Sequence, residues 1–194
     1  SQEFLYYIGQ PKTIFAKILT MTIEEKKKEL DQIAREIREF KGLEIAKNCI
    51  NAVPGEGEPD AKIMFIGEAP GADEDAQGRP FVGRSGQLLR NTITESNIKL
   101  DKVFITNIVK YRPPDNIDPS IEEISICRDW LDRQIQIIEP ATIVTLGRFS
   151  MGKFLPDAKI SKVHGRGHEI VFQNQKYFLV TMYHPAYAIR GTSI

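Results

Sequence analysis

KIMFIG, Lys62 to Gly67, carries four consecutive apolar side chains and feeds directly into GEAPGADEDAQGRPFVG, residues 67–83. A short apolar run closed by Gly and Pro reads as a buried strand. Upstream, Leu30, Ile33, Ala34, Ile37 and Phe40 recur at three- and four-residue steps in a charged background. That spacing predicts an amphipathic helix, and Thr22 with Glu25 supplies a capping box at its start. Residues 51–61, NAVPGEGEPDA, are rich in Gly and Pro and read as a loop. Downstream, Ser85–Ser96 reads as a helix, Val103–Ile108 as a strand and Pro119–Ile138 as a helix. Ala141–Leu146 follows as a strand, then a short helix to Phe154, then strands at Glu169–Phe172 and Tyr177–Thr181. Strands alternating with helices imply an α/β fold, a three-layer α/β/α sandwich with a central four-stranded parallel sheet. The domain spans 22–194. Residues 1–21, without clear period or signal-peptide order, read as an N-terminal extension.

Composition bounds the function. The 194 residues hold 26 Lys+Arg against 26 Asp+Glu, and hydrophobic residues make up 41%. This is an ordinary globular composition, which excludes disordered, collagenous and coiled-coil classes. No apolar run approaches the roughly 18 residues of a membrane span, so no membrane partner is expected. Two Cys cannot build a disulfide framework, which fits a reducing, cytoplasmic setting. A monomer is the default. Zero net charge argues at first sight against nucleic acid, whose binders are usually basic.

In α/β sheets, ligands gather beyond the carboxyl ends of the strands. Three such places carry candidate chemistry. The first begins at Gly67. Its glycines and Pro70 make a tight turn that can aim backbone N–H groups at a ligand, and no Gly-Lys-Ser/Thr follows, so it is not a Walker A loop. Phe81, in a Gly/Pro-rich loop, suits stacking on a planar ligand or anchoring the loop. Asp73, Glu74 and Asp75 are either a solvated helix start or a catalytic or metal cluster. The second place is TNIVKYRPPDN, residues 106–116, where Asn107 offers both a donor and an acceptor to a base edge. The third is MYHPAYAIR, residues 182–190, where His184 is either a satisfied loop histidine or a donor to a developing anion. His164 and His168 have metal-like spacing but no evident third ligand, and HGRGH reads as a basic surface loop.

Together, GEAPG, GRPFVG-x-SG-x-LL, TN-x-VK-x-RPP and HPAY-x-x-R, in this order and spacing, resemble the family 4 uracil-DNA glycosylases. The resemblance runs from about Ile33 to Arg190 and implies the same four-stranded parallel sheet. It implies a monofunctional glycosylase that flips uracil out of DNA and hydrolyses its N-glycosidic bond, leaving an abasic site. Phe81 matches the base-stacking Phe, and Asn107 the Asn that reads the uracil edge. Gly67, Glu68 and Ala69 match the loop touching base and deoxyribose, and His184 the His that stabilises charge on uracil O2. Family 1 enzymes orient the attacking water with an Asp whose position here is Ala69, leaving Glu68 or Glu74 for that task. Lys162, Arg166 and Arg190 are expected to contact phosphates, and Ile189 to enter the vacated stack.

One departure is large. Family 4 enzymes normally hold a [4Fe–4S] cluster through four Cys. The matching positions here are Phe40, Leu43, Tyr111 and Cys127. No cluster and no metal are expected. The alternative reading is a DNA-damage-binding module of the same fold, catalytically weakened with its cluster. A covalent uracil-trapping relative would need a His after the second motif, and KYRPPDNIDPS has none.

The zero charge also divides. Residues 51–80 carry seven acids against Lys62 and Arg79, a balance of −5, whereas 145–194 carry seven bases against Asp157 and Glu169, a balance of +5. Neutrality of the whole therefore does not exclude DNA; it predicts salt-sensitive binding concentrated on one face.

Overall fold

The computed structural model describes residues 21–191, apart from the side chain of Arg190. The expected extension lies, but for Met21, outside the described residues.

The capping box forms as the sequence predicts. Thr22 Oγ1 accepts the Glu25 N–H at 3.2 Å while Glu25 returns a carboxylate to the Thr22 N–H at 2.8 Å. It opens α1, Ile23–Glu39, whose Leu30, Ile33 and Ile37 are buried. After α2, Glu44–Asn48, the chain reaches β1, Glu56–Gly57, and β2, Ile63–Gly67. There follow α3, Ala72–Gln77; α4, Arg84–Glu95; β3, Val103–Asn107; and α5, Ile121–Ile138. The last third holds β4, Thr142–Leu146; α6, Arg148–Gly152; α7, Ile160–Val163; β5, Arg166–Phe172; β6, Gln175–Met182; and α8, Pro185–Gly191.

The sheet runs β1-β3-β2-β4-β6-β5. Its four central strands, β3, β2, β4 and β6, are mutually parallel, as expected. Antiparallel β1 and β5 add two edges, making six strands rather than four. The sequence predicts no strand at β1 and only the second part of β5, for local reasons. β1 hides in a Gly/Pro loop because Gly57, at φ 139°, lies where any Cβ would overlap the backbone of Val103 and Phe104. β5 begins inside HGRGH, three residues earlier than expected, as an edge strand that buries no side chain fully.

Strand alternation divides the core. Met64, Ile66, Phe104, Ile143 and Leu179 face α1 and α5; Phe65, Val103, Ile105 and Leu146 face α4 with Leu89 and Ile93. This sets a helical layer on each side of the sheet and brings the carboxyl ends of all four parallel strands to one edge. The chain passes from β2 to one neighbour, β3, and then returns to the other side as β4. The crevice between β2 and β4 is thus the point where the winding reverses.

Candidate active site

A cleft of about 580 Å³ opens at that edge. Its lining includes Glu68, Ala69, Glu74, Phe81, Asn107 and His184, so six of the expected site residues share one cavity.

The inner wall grows from β2 and β3. Parallel register sets Gly67 beside Asn107, and pairing continues past the strands through Ile108 N–H to Gly67 O at 3.1 Å. A Cβ on residue 67 would overlap both Asn107 Oδ1 and the Phe81 ring. Glycine there lets the amide and the ring close on one spot. Asn107 is 1% exposed, and its Oδ1 is buried with no hydrogen-bond partner among the described residues. An unpaired buried acceptor costs about 1–3 kcal/mol, and a ligand N–H would relieve it.

Phe81 sits in the left-handed region, φ 52°, rare for an aromatic residue, and must be held there by its surroundings. Two side chains of opposite charge do so. Glu74 accepts the N–H groups of Val82 at 2.8 Å, Gly83 at 2.9 Å and Gly71 at 3.1 Å. Arg90 donates to the carbonyls of Phe81 at 2.8 Å and Pro80 at 2.7 Å, and pairs with Glu56 at 2.6 Å. Burial by itself would raise the Glu56 carboxyl, but Arg79 and Arg90 outweigh it and hold it below the usual range. Of the acidic triplet, Asp73 is exposed in the first turn of α3, as a solvated helix start would be, whereas its two neighbours fold inward. Glu74 and Asp75 are buried, and Asp75 accepts the N–H groups of Ile50 at 2.9 Å and Asn51 at 3.1 Å. Among the described residues no three metal-binding side chains gather anywhere.

Behind Asn107 lies a second buried network. The Lys110 ammonium donates to Asn107 O at 2.8 Å, Thr106 Oγ1 at 2.7 Å and Gln134 Oε1 at 2.9 Å. Thr106 and Gln134 each donate onward to Pro54 O at 2.9 Å. Burial pushes Lys110 down to about 7.

The outer wall follows β4 and β6. Gly147, at φ 104°, leaves room for the Glu68 carboxylate, where a Cβ would overlap it. Burial raises the Glu68 carboxyl, while the Phe149 and Arg148 N–H groups at the start of α6 and the Arg148 charge counter only part of that rise. His184 Nδ1 accepts the Ala186 N–H at 3.2 Å, so the neutral ring carries its proton on Nε2. Its ring lies 5.8 Å from the Phe81 ring at 31°. Lys162 and Arg166 are exposed, on α7 and at the start of β5, and do not line the cleft. Ile189 is half-buried in α8, and the Arg190 side chain lies outside the described residues.

The four cluster positions do come together, but around rings. Phe40 stacks with Tyr111 at 6.3 Å, and Trp130 meets both edge-on at 5.2 and 6.4 Å. Leu43 and Cys127 are buried in the same core, and Tyr111 donates to Ile37 O at 2.7 Å. Burial pushes the Cys127 and Cys49 thiols up, opposite to the thiolate a metal requires. This donor set does not fit a four-thiolate cluster.

The sequence assigns no role at the site to Arg90, Lys110, Gly147 or Arg148. Gly147 is legible as the end of a parallel strand and Lys110 falls within TN-x-VK-x-RPP, but Arg90 pairs with Glu56, 34 residues away, and Lys110 with Gln134, 24 away.

Comparison with known proteins agrees with this geometry. The family model described as "Uracil DNA glycosylase superfamily" matches residues 54–193. A type-4 uracil-DNA glycosylase of Sulfurisphaera tokodaii is 46% identical, covering 85% of this chain and 78% of the relative. Those of Archaeoglobus fulgidus and Thermotoga maritima are 42% and 40% identical, covering 81% and 84% of this chain and 81% and 85% of the relatives.

Proposed function

Since this chain belongs to the uracil DNA glycosylase superfamily, we propose that its cleft takes a uracil flipped out of DNA and hydrolyses the bond from uracil N1 to deoxyribose C1′. The observation that carries this reading is the unpaired, buried Asn107 Oδ1 held against Phe81 across Gly67. Phe81 covers the face of the base. Asn107 Oδ1 accepts from N3–H and its amide nitrogen donates to O4; cytosine offers the reverse pattern at both atoms and is refused.

As the N1–C1′ bond breaks, its electron pair leaves with the base, and charge collects on uracil O2. His184 Nε2–H donates to that oxygen, a contribution of about 3–4 kcal/mol for a preorganised donor. Glu68 accepts a proton from the water that adds to C1′, and the Gly67–Ala69 backbone borders the sugar. Glu74, already committed to three backbone N–H groups, is a positioning residue for Phe81. Lys162, Arg166 and Arg190 contact phosphates from the basic end of the chain. We also infer that no iron–sulfur cluster is held, because two rings, a leucine and a single thiol fill its positions.

Single-turnover excision of a uracil-containing oligonucleotide tests the reading. The intact protein should yield an abasic site, His184→Ala about 10²–10³-fold more slowly, and Asn107→Ala with lost preference for uracil over cytosine. Uracil-selective binding without any abasic product would instead favour a damage-binding module. Near-stoichiometric iron with visible absorption would overturn the inference on the cluster.

A further inference from the structure

The open lip of the cleft carries three rings in a row. The His164 ring lies 4.2 Å from Tyr183, and Tyr183 lies 4.9 Å from Tyr187 at 18°, nearly parallel. The row is fixed at His164, which is exposed just outside the cleft lining: His164 Nδ1 accepts the Tyr183 N–H at 3.1 Å, and the His164 backbone N–H donates to Ile160 O at 2.8 Å. At its outer end Tyr187 is 67% exposed although it lines the cleft. A large aromatic ring backed on one face and exposed to solvent is a surface suited to another planar group.

We propose that Tyr187 is a stacking subsite for the nucleobase next to the flipped uracil. The proposal rests on the glycosylase reading and extends it to the neighbouring nucleotide. Three observations support it. Tyr187 follows His184 by three residues, one turn along the same side of α8, and its N–H bonds to His184 O at 2.9 Å. A helical turn of about 5.4 Å is comparable with the step to the next nucleotide of a stretched strand. Lys162 and Arg166 lie two residues on either side of His164 and are exposed, so cations capable of holding phosphates flank the row of rings. Finally, Ile189, the side chain expected in the vacated stack, is half-buried, whereas Tyr187 is the large apolar residue that α8 presents outward. Every base has a π-face, so such a platform holds the strand without reading its sequence.

The test uses a single-stranded oligonucleotide with a non-cleavable 2′-fluorinated deoxyuridine and 2-aminopurine on its 5′ or 3′ side. Binding of the intact protein should quench 2-aminopurine in one of the two oligonucleotides. Tyr187→Ala should abolish that quenching and Tyr187→Phe should keep it. On cleavable substrate, Tyr187→Ala should raise KM about tenfold, with a much smaller change in kcat. Replacing the neighbouring base with a tetrahydrofuran residue should cost the intact protein a similar factor and cost Tyr187→Ala almost nothing further. Equal quenching by the intact protein and Tyr187→Ala, or a KM penalty that persists when the neighbouring base is absent, would overturn the subsite. The two readings separate here. Quenching that depends on Tyr187 without any abasic product would sink the glycosylase reading alone, and abasic product with Tyr187-independent quenching would sink the subsite alone.

Discussion

On the inner wall of the cleft, Phe81 and Asn107 are 4% and 1% exposed, and the side chains of Glu74, Arg90 and Lys110 tie their backbone from behind. On the outer wall, half-buried His184 immediately precedes α8, and Tyr187 stands on that short helix, 67% exposed. On the proposed reading the inner wall tells uracil from cytosine by one amide, which works only if that amide is dry and cannot rotate to suit the wrong base. The outer wall must admit a polymer and release it, so exposure there is useful. Discrimination and access make opposite physical demands, and the fold assigns them to opposite sides of one cavity.

Four substitutions, with Tyr187→Ala as their control, would break or sharpen that contrast. Gly67→Ala should be the most severe, because its Cβ enters the space shared by Asn107 and Phe81. Excision should fall by more than about 10²-fold, measured under single-turnover conditions, with wild-type circular dichroism. Glu68→Gln comes next, with a loss of about 10²-fold if Glu68 takes the water's proton. Since burial raises the Glu68 carboxyl, the intact enzyme should lose kcat on the acid side at a pH above the usual carboxylate range. That limb should vanish in Glu68→Gln; a limb that survives would assign the proton to another group.

Arg90→Met should cost about tenfold in rate and about 2–3 kcal/mol in stability, since two carbonyls and Glu56 lose a largely buried partner. At about 2–4 °C per kcal/mol this lowers Tm by about 4–12 °C. The outer wall supplies the control: Tyr187→Ala should leave Tm nearly unchanged. Equal thermal effects from the two would dissolve the contrast. The smallest effect on rate is expected from Lys110→Met, and its signature is in pH. Folded Lys110 gives up its proton at about 7 while the unfolded chain keeps it to about 10.5, so between these values the unfolded state binds more protons. Stability of the intact protein should therefore gain a contribution that rises with pH across that window, and Lys110→Met should remove it in a series of thermal melts.

Particular residues show how far sequence reasoning reached. The helix over 23–39 and the strands ending at Gly67, Asn107 and Leu146 were legible because apolar periodicity is local. β1 and the first residues of β5 were not, since an edge strand needs pairing on one side only and leaves no buried pattern. The acidic triplet misled for a related reason: Asp73, Glu74 and Asp75 look like a solvated run until the loop at 80–83 and the turn at 50–51 fold against them. Lys110 resembles a surface lysine in one dimension and is wholly buried in three.

Order and identity of the motifs were enough to establish the parallel α/β sheet, the family, and a small set of candidate residues that the fold gathers in one cleft. Those properties follow from residue type and spacing, which the chain carries whatever its surroundings. The tertiary structure alone decided which carboxylate lies free of the backbone network around Phe81, which ring stands exposed at the lip of the cleft, and what packs at the positions of the missing thiols. Each depends on burial and on partners distant in sequence, and a side chain acquires these only when the layers close.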